Sequence, residues 1–337
     1  MKARVQRIFA RATAAALALA FSVPTALADD TVFQNAFDQM LGTEPRSPRT
    51  FNNPFELQIA SLAEASQGRI GVAAMDLTTG HTIQVLGNQR FPMASTSKIA
   101  IAATFLDGVE KGRWTLSSQF PLLIPVSSPA RSTRVAPVKP GAYMPASQLI
   151  ELMITRSSNP ATDALLAAVG GPQAVNQWMH RAGIYDFELS RDIATLVRDD
   201  GAVNPAHVID KRDSATPLAM VQLLKGLHDG RWLNARHREV ILGAMERCRT
   251  GTRRIPGLLP ADARVAHKTG TLFNTSSDIG IIKTPDGRAF AVAIYVTGQG
   301  SRPNRDARIA SLARAIYDGY ASVPVTGRYE RTASAIR

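Results

Sequence analysis

The chain has 337 residues, 45% of them apolar, which is enough to bury a substantial core. Its net charge of +12 comes from 39 Lys+Arg against 27 Asp+Glu, and the basic residues are dispersed, which argues against a nucleic-acid partner. The single cysteine, Cys248, excludes an internal disulfide, so stability rests on the core.

The first 28 residues read as a secretory signal peptide. Lys2, Arg4, Arg7 and Arg11 form a positive start without acidic residues, an Ala- and Leu-rich run follows, and Ala26-Leu27-Ala28 precedes Asp29. The apolar run is short for a span of ~20 residues, so cleavage after Ala28 is expected rather than a stable membrane anchor. No cysteine near residue 28 offers a lipid attachment point, and no second run is long enough to cross a bilayer. The expected location is exported and periplasmic. Losing the four leader cations leaves 35 Lys+Arg against 27 Asp+Glu, or +8, and any attraction is to anionic substrates or the cell envelope.

Residues 29–50 are polar and proline-containing, a leader into the domain. Arg69–Leu77 reads as a strand, Thr78-Thr79-Gly80 as a turn and Thr82–Leu86 as the hairpin partner. Residues 95–110 follow as a helix with an apolar face. The stretch 121–145, rich in Pro, Ser and Arg, reads as a long loop. Helical patterns occupy 146–156, 160–168 and 172–182, and 186–215 is a charged segment of little periodicity. Helices are expected at 217–229 and 234–247, strands at 264–268, 278–284 and 289–297, and a last helix at 304–319. Residues 321–337 read as a disordered tail. Strands at both ends around a helical middle argue for an α+β fold, in which the terminal strands share one antiparallel sheet flanked by helices and a helical subdomain is inserted. The expected catalytic domain is 51–320.

Three short patterns carry chemistry. Ser95 follows Pro92-Met93-Ala94 at a helix start, where backbone N–H groups and the positive dipole end favour developing negative charge. Lys98 lies three positions on, and a partly buried lysine of lowered pKa takes the proton of a serine nucleophile. Alone, the pair also fits a capped helix carrying a surface lysine. Ser157-Ser158-Asn159 supplies a hydroxyl to relay a proton and an amide to hold a substrate carbonyl, yet Asn before Pro160 is also an ordinary helix start. Lys268-Thr269-Gly270-Thr271 ends a predicted strand with a cation, two hydroxyls and a glycine that admits close approach.

Taken in order, S-x-x-K, S-x-N and K-T-G resemble the penicillin-recognising serine hydrolases, and within them the class A β-lactamases. The likeness extends over roughly residues 50–320 and includes Phe91-Pro92-Met93-Ala94-Ser95, Gly170-Gly171-Pro172 and Arg212–Pro217. It implies the β-lactamase/transpeptidase-like fold and a Ser95 acyl-enzyme, with Lys98 as base and Ser157 as proton relay. The backbone N–H groups of Ser95 and Thr271 would form the oxyanion hole. Asn159 would hold the acyl side-chain amide, and Lys268, Thr269, Gly270 and Thr271 the carboxylate end. Arg254 matches a position where some relatives carry a carboxylate-binding arginine; a solvated basic face shared with Arg253 is the other reading. No cofactor and no metal are implied. The partner is a small β-lactam or a cell-wall peptide, and the chain is expected to be a monomer.

One feature departs from the family. Class A enzymes aim the hydrolytic water with a loop Glu that stands two residues after a bracing Arg and four before an Asn. Counting back from Asp213 puts this pattern on Arg198, Asp200 and Asn204, with Asp in place of Glu. Counting forward from Gly183 reaches Ser190-Arg191-Asp192, and Asp192 becomes the nearest carboxylate. A base supplied by Lys98 through water is the third possibility, and ion pairs that only brace the loop are a fourth. Trapping as an acyl-enzyme and action on peptidoglycan peptides are the competing functions. The six histidines show no H-x-H or H-E-x-x-H spacing, and G-x-S-x-G, G-x-x-x-x-G-K and G-x-G-x-x-G are absent. His267 reads as a strand residue able to tune Lys268.

Overall fold

The computed structural model describes residues 53–322. The expected signal peptide, leader and the tail from 323 lie outside the described residues. Helix α1 (Pro54–Leu62) leads into β1 (Ile70–Asp76) and β2 (Thr82–Val85). Strands β8 (Arg264–Leu272), β9 (Thr275–Lys283) and β10 (Ala289–Thr297) complete an antiparallel sheet in the order β2-β1-β10-β9-β8. The register pairs Ala73 with Ala293 and Lys268 with Ile279.

Strand β10 is buried along its whole length because both sheet faces are covered. Its side chains alternate between the two covers, as the period of two requires. Phe290, Val292 and Ile294 pack with Ile309, Leu312 and Ile316 of helix α9 (Arg302–Ala321). Ala291, Ala293 and Tyr295 join the second core, which runs into the helical middle. At the centre of that middle lies α2 (Lys98–Glu110), entered through a 3-10 turn at Ala94–Ser97. Buried on nearly every side, α2 meets α3 (Ala146–Thr155), α4 (Asn159–Val169), α5 (Pro172–Arg181) and α8 (Ala235–Glu246). Apolar positions on α2 are therefore not confined to one stripe. Helix α7 (Pro217–Asp229) packs on the sheet, capped by the Thr216 hydroxyl with Pro217 in the first turn. Gly170 closes α4 in the left-handed region (φ 102°), where a side chain would be strained, and Pro172 opens α5 two residues later.

Two expectations are corrected. Residues 121–145 are not one long loop: β4 (Gln119–Pro125) and β5 (Val138–Pro145) form an antiparallel ribbon, and only 126–137 between them is irregular. Prolines 121, 125, 140 and 145 are tolerated because each strand of a two-stranded ribbon has one free edge, so a missing N–H need not break a ladder. The K-T-G run also lies inside β8 rather than at its end, because β8 continues to Leu272 and β9 starts at Thr275. The remaining α+β architecture agrees with the sequence. Short pairings of β3 (Phe91–Pro92) and β6 (Phe187–Glu188) with β7 (Ser214–Ala215) tie the approach to Ser95 to both ends of the charged segment, and helix α6 (Ile193–Arg198) forms within it. No described helix is long and apolar enough to cross a membrane.

Candidate active site

Lys98, Ser157, Asn159 and Lys268 meet between α2, the start of α4 and β8. Lys98 is the first residue of α2 and is fully buried. Its Nζ donates to Ser157 O at 2.8 Å, to Asn159 Oδ1 at 2.8 Å and to Ser157 Oγ at 3.2 Å. Lys268, also fully buried, donates from Nζ to the same Ser157 Oγ at 3.0 Å and to Thr269 O at 2.9 Å. One hydroxyl thus lies between two amines. Ser157 is held there in the left-handed region (φ 58°), a strained conformation for a serine. The next residue, Ser158, caps α4 by accepting from Ala161 N, which places Asn159 in the first turn facing Lys98.

Burial pushes Lys98 well below the ordinary lysine pKa, the neighbouring Lys268 pushes the same way, and Asp163 opposes both. Lys268 is lowered to about 8, by burial first; the fields of Cys248 and Asp278 raise it and Arg254 lowers it. A neutral Lys98 amine has two hydrogens and one lone pair. The two 2.8 Å acceptors use both hydrogens, so in the neutral amine the 3.2 Å contact with the Ser157 hydroxyl falls to the lone pair, the site that takes up a proton.

Ser95 sits half-buried in the 3-10 turn that enters α2, directly after Ala94, itself left-handed at φ 48°. Gly270 shows how closely β8 approaches this turn. A Cβ there would stand 2.6 Å from Met93 O, 3.0 Å from the Ala94 Cβ and 2.4 Å from Ser277 Oγ. Only glycine lets residues 270–271 lie alongside the turn that carries Ser95. The expected benefit of Gly270 was room for a ligand; the contact found is with the protein's own backbone.

Arg254 is fully buried, which excludes the solvated-face reading. Its Nε pairs with Asp306 at 2.7 Å, Nη1 donates to the carbonyls of Gly270 (2.7 Å) and Ser277 (2.8 Å), and Nη2 donates to Thr271 Oγ1 at 2.7 Å. Arg254 therefore reaches the site through β8, fixing the Thr271 hydroxyl. Thr269 shares a 2.6 Å hydrogen bond with the hydroxyl of Thr250, whose Oγ1 lies 3.4 Å from Cys248 Sγ. His267, read from sequence chiefly as a strand residue, is one half of a buried pair with Asp278 (2.9 Å), which raises its pKa to about 10 against burial.

The loop follows neither counting scheme fully. The bracing pair is Arg191–Asp213, at 2.6 Å, and Asp213 also accepts from the backbone of Ser190 and Arg191. Arg198 instead pairs with Asp199 and donates to Thr133, so the Arg198–Asp213 pair counted from sequence does not form. Two residues past Arg191 stands Ile193, and four further on Val197; neither carries a base. Asp192 caps α6 by accepting from Thr195 N at 2.7 Å. Both oxygens of Asp200 accept from Phe273 N at 2.9 Å, and Asn204 Oδ1 accepts from Asn274 Nδ2 at 2.9 Å. Asp200 and Phe273 line a cleft whose walls include neither Ser95 nor Lys98. The structure joins Asp200 and Asn204 to the β8–β9 turn, away from the two-lysine cluster. Sequence reasoning missed Asp163, Thr250 and Asp278; of these only Asp163 left a signal, its i+4 spacing from Asn159.

These features define an active-serine hydrolase fold, and comparison with known proteins gives the family. A family model described as the beta-lactamase enzyme family matches residues 54–320. Beta-lactamase CTX-M-8 of Citrobacter amalonaticus is 31% identical over 285 residues, covering 83% of this chain and 94% of that protein. A beta-lactamase structure from Chitinophaga pinensis superposes with a TM-score of 0.69 at 30% identity, over 80% of this chain and 100% of the other. The ancestral Gram-negative class A beta-lactamase gives 0.67 at 33%, over 79% and 99%. The chain belongs to the beta-lactamase enzyme family, in its class A branch.

Proposed function

We propose that this protein is an exported, periplasmic serine β-lactamase that opens the lactam amide by acylating Ser95, and whose hydrolytic step proceeds without a loop carboxylate. The observation that carries the reading is the Ser157 hydroxyl held between Lys98 Nζ and Lys268 Nζ. Neutral Lys98 takes the Ser95 proton as Oγ attacks the carbonyl carbon. The backbone N–H groups of Ser95 and Thr271 stabilise the oxyanion, each donor being worth about 3 kcal/mol at the transition state. The proton then travels from Lys98 through Ser157 Oγ to the departing nitrogen, and Lys268 holds that hydroxyl in line. Lys268, Thr269 and the Thr271 hydroxyl receive the substrate carboxylate, with Gly270 giving the clearance that β8 needs, and Asn159 receives the acyl side-chain amide. Arg254 acts on this end by fixing Thr271. The mechanism asks for no cofactor, metal or membrane anchor, and a monomer suffices.

Ile193 at the position two past Arg191 favours a second reading, in which the acyl-enzyme forms and is held. A chromogenic cephalosporin, with turnover and intact mass followed together, divides the two. Sustained turnover abolished by Ser95→Ala supports the hydrolase; a stable adduct at Ser95 supports the trap; no reaction at Ser95 overturns both. A cell-wall pentapeptide as competing substrate tests the peptidase alternative.

A further inference from the structure

The loop places no carboxylate two residues past Arg191, yet a buried acid acts on Lys98 from another element. Asp163 lies on α4 one turn beyond Asn159, so the two side chains share a face of the helix. Asn159 Oδ1 already accepts from Lys98 Nζ. Asp163 is 3% exposed, and its two oxygens accept from Ile193 N at 2.7 Å and Ala194 N at 2.9 Å. The carboxylate thus bolts the first turn of α6 to α4, while each oxygen keeps a further acceptor site. Ile193 leaves no carboxylate where the family pattern would put one, and its own N–H is spent on Asp163.

The charged groups around this pair come from three elements. Lys268 of β8 repels Lys98, Asp163 of α4 attracts it, and Asp192, ahead of α6, repels Asp163. The cations flanking α6 are engaged elsewhere, Arg191 by Asp213 and Arg198 by Asp199. Burial raises Asp163 to about 6, opposed by its backbone hydrogen bonds and by Lys98. At neutral pH it is therefore largely ionised, and its charge favours a proton on Lys98 against burial and Lys268.

The geometry points to Asp163 as a positioning residue that sets the charge state of Lys98 while anchoring α6, so that helix α4 rather than the loop supplies the acidic group governing the pH dependence of Ser95 acylation. This rests on the Ser95–Lys98 reading above. The test is the pH profile of kcat/KM with a chromogenic cephalosporin for the wild type, Asp163→Asn and Asp163→Glu. Removing the anion lets Lys98 lose its proton at lower pH, so in Asp163→Asn the acid limb is expected to move down by about one pH unit. Asp163→Glu restores it. A uniform loss of rate with an unmoved limb would reduce Asp163 to an anchor and overturn the proposal. Should Asp163→Asn not fold, NMR titration of the wild-type Lys98 side chain decides: a second inflection near pH 6 is expected, and a single-step curve overturns the proposal. That titration needs no substrate, so it stays informative if Ser95 proves unreactive, an outcome that would sink the proposed function instead.

Discussion

Around Ser157, the residues that meet are carried by long elements packed on both sides. Lys98 opens a thirteen-residue helix, Asn159 an eleven-residue helix, and Lys268 is the fifth residue of a nine-residue strand. Around Arg191 and Asp213, they are carried by a segment whose own secondary structure is a six-residue helix and two-residue strands. The first region keeps its geometry because shifting one residue means shifting a helix or strand register. The second is held by separate contacts: Arg191–Asp213, Asp163 to α6, Asp200 to Phe273 and Asn204 to Asn274. Extra residues can enter such a loop and move a carboxylate out of place without disturbing the serine centre. On the proposed mechanism, acylation depends on the first region, which meets the loop through Asp163.

Several changes would break or sharpen that contrast. Replacing Ser95 by Ala should remove both adduct and turnover, with a loss on the order of 10⁴-fold or more in single-turnover kinetics, whatever the state of the loop. Arg191→Ala strips the charge partner from Asp213, which is 2% exposed, and should cost about 3 kcal/mol in urea unfolding. The adduct should still form in that variant, if more slowly; complete loss of acylation in protein that remains folded would show that the two regions are not separable. Ile193→Glu puts a carboxylate two residues past the bracing arginine. If the missing acid limits hydrolysis, the acyl-enzyme lifetime measured by mass should shorten by roughly tenfold, about 1.4 kcal/mol of barrier. With Lys268 lowered to about 8, the amine is protonated below that pH and neutral above it. KM for a carboxylate-bearing substrate should then rise roughly tenfold per pH unit beyond the point where Lys268 loses its proton, while an ester analogue stays flat. Smallest of all, Asp200→Asn and Asp192→Asn should each change the acyl lifetime by less than about twofold. Asn still accepts from one backbone N–H at either site.

The sequence was legible where residue spacing is set by a regular element. S-x-x-K and S-x-N lie at helix starts and K-T-G within a strand, and the strand expected at 289–297 matches β10 residue for residue. It was misleading where contacts are non-local. Prolines made 121–145 look like a loop, although a two-stranded ribbon accommodates them. Arg198 stood at the expected distance from Asp213 and Arg191 was reached only by counting forward from Gly183, and one-dimensional counting could not tell that Arg198 turns to Thr133 and Asp199. Arg254 could be read as a carboxylate binder or as a surface cation because its partners, Asp306 and the carbonyls of Gly270 and Ser277, lie 16 to 52 residues away in sequence.

The tip of the β4–β5 ribbon is stitched to α6: Ala136 N donates to Thr195 Oγ1 at 2.8 Å, Arg131 N to Asp199 Oδ1 at 2.9 Å, and Arg198 to Thr133. Backbone protons of one segment are thus masked by side chains of the other. The two ribbon amides held this way should exchange with deuterium together, with matched protection at Arg131 and Ala136. A protease cut between residues 126 and 137 would then strip these contacts from α6 while Asp163 still holds its first turn to α4.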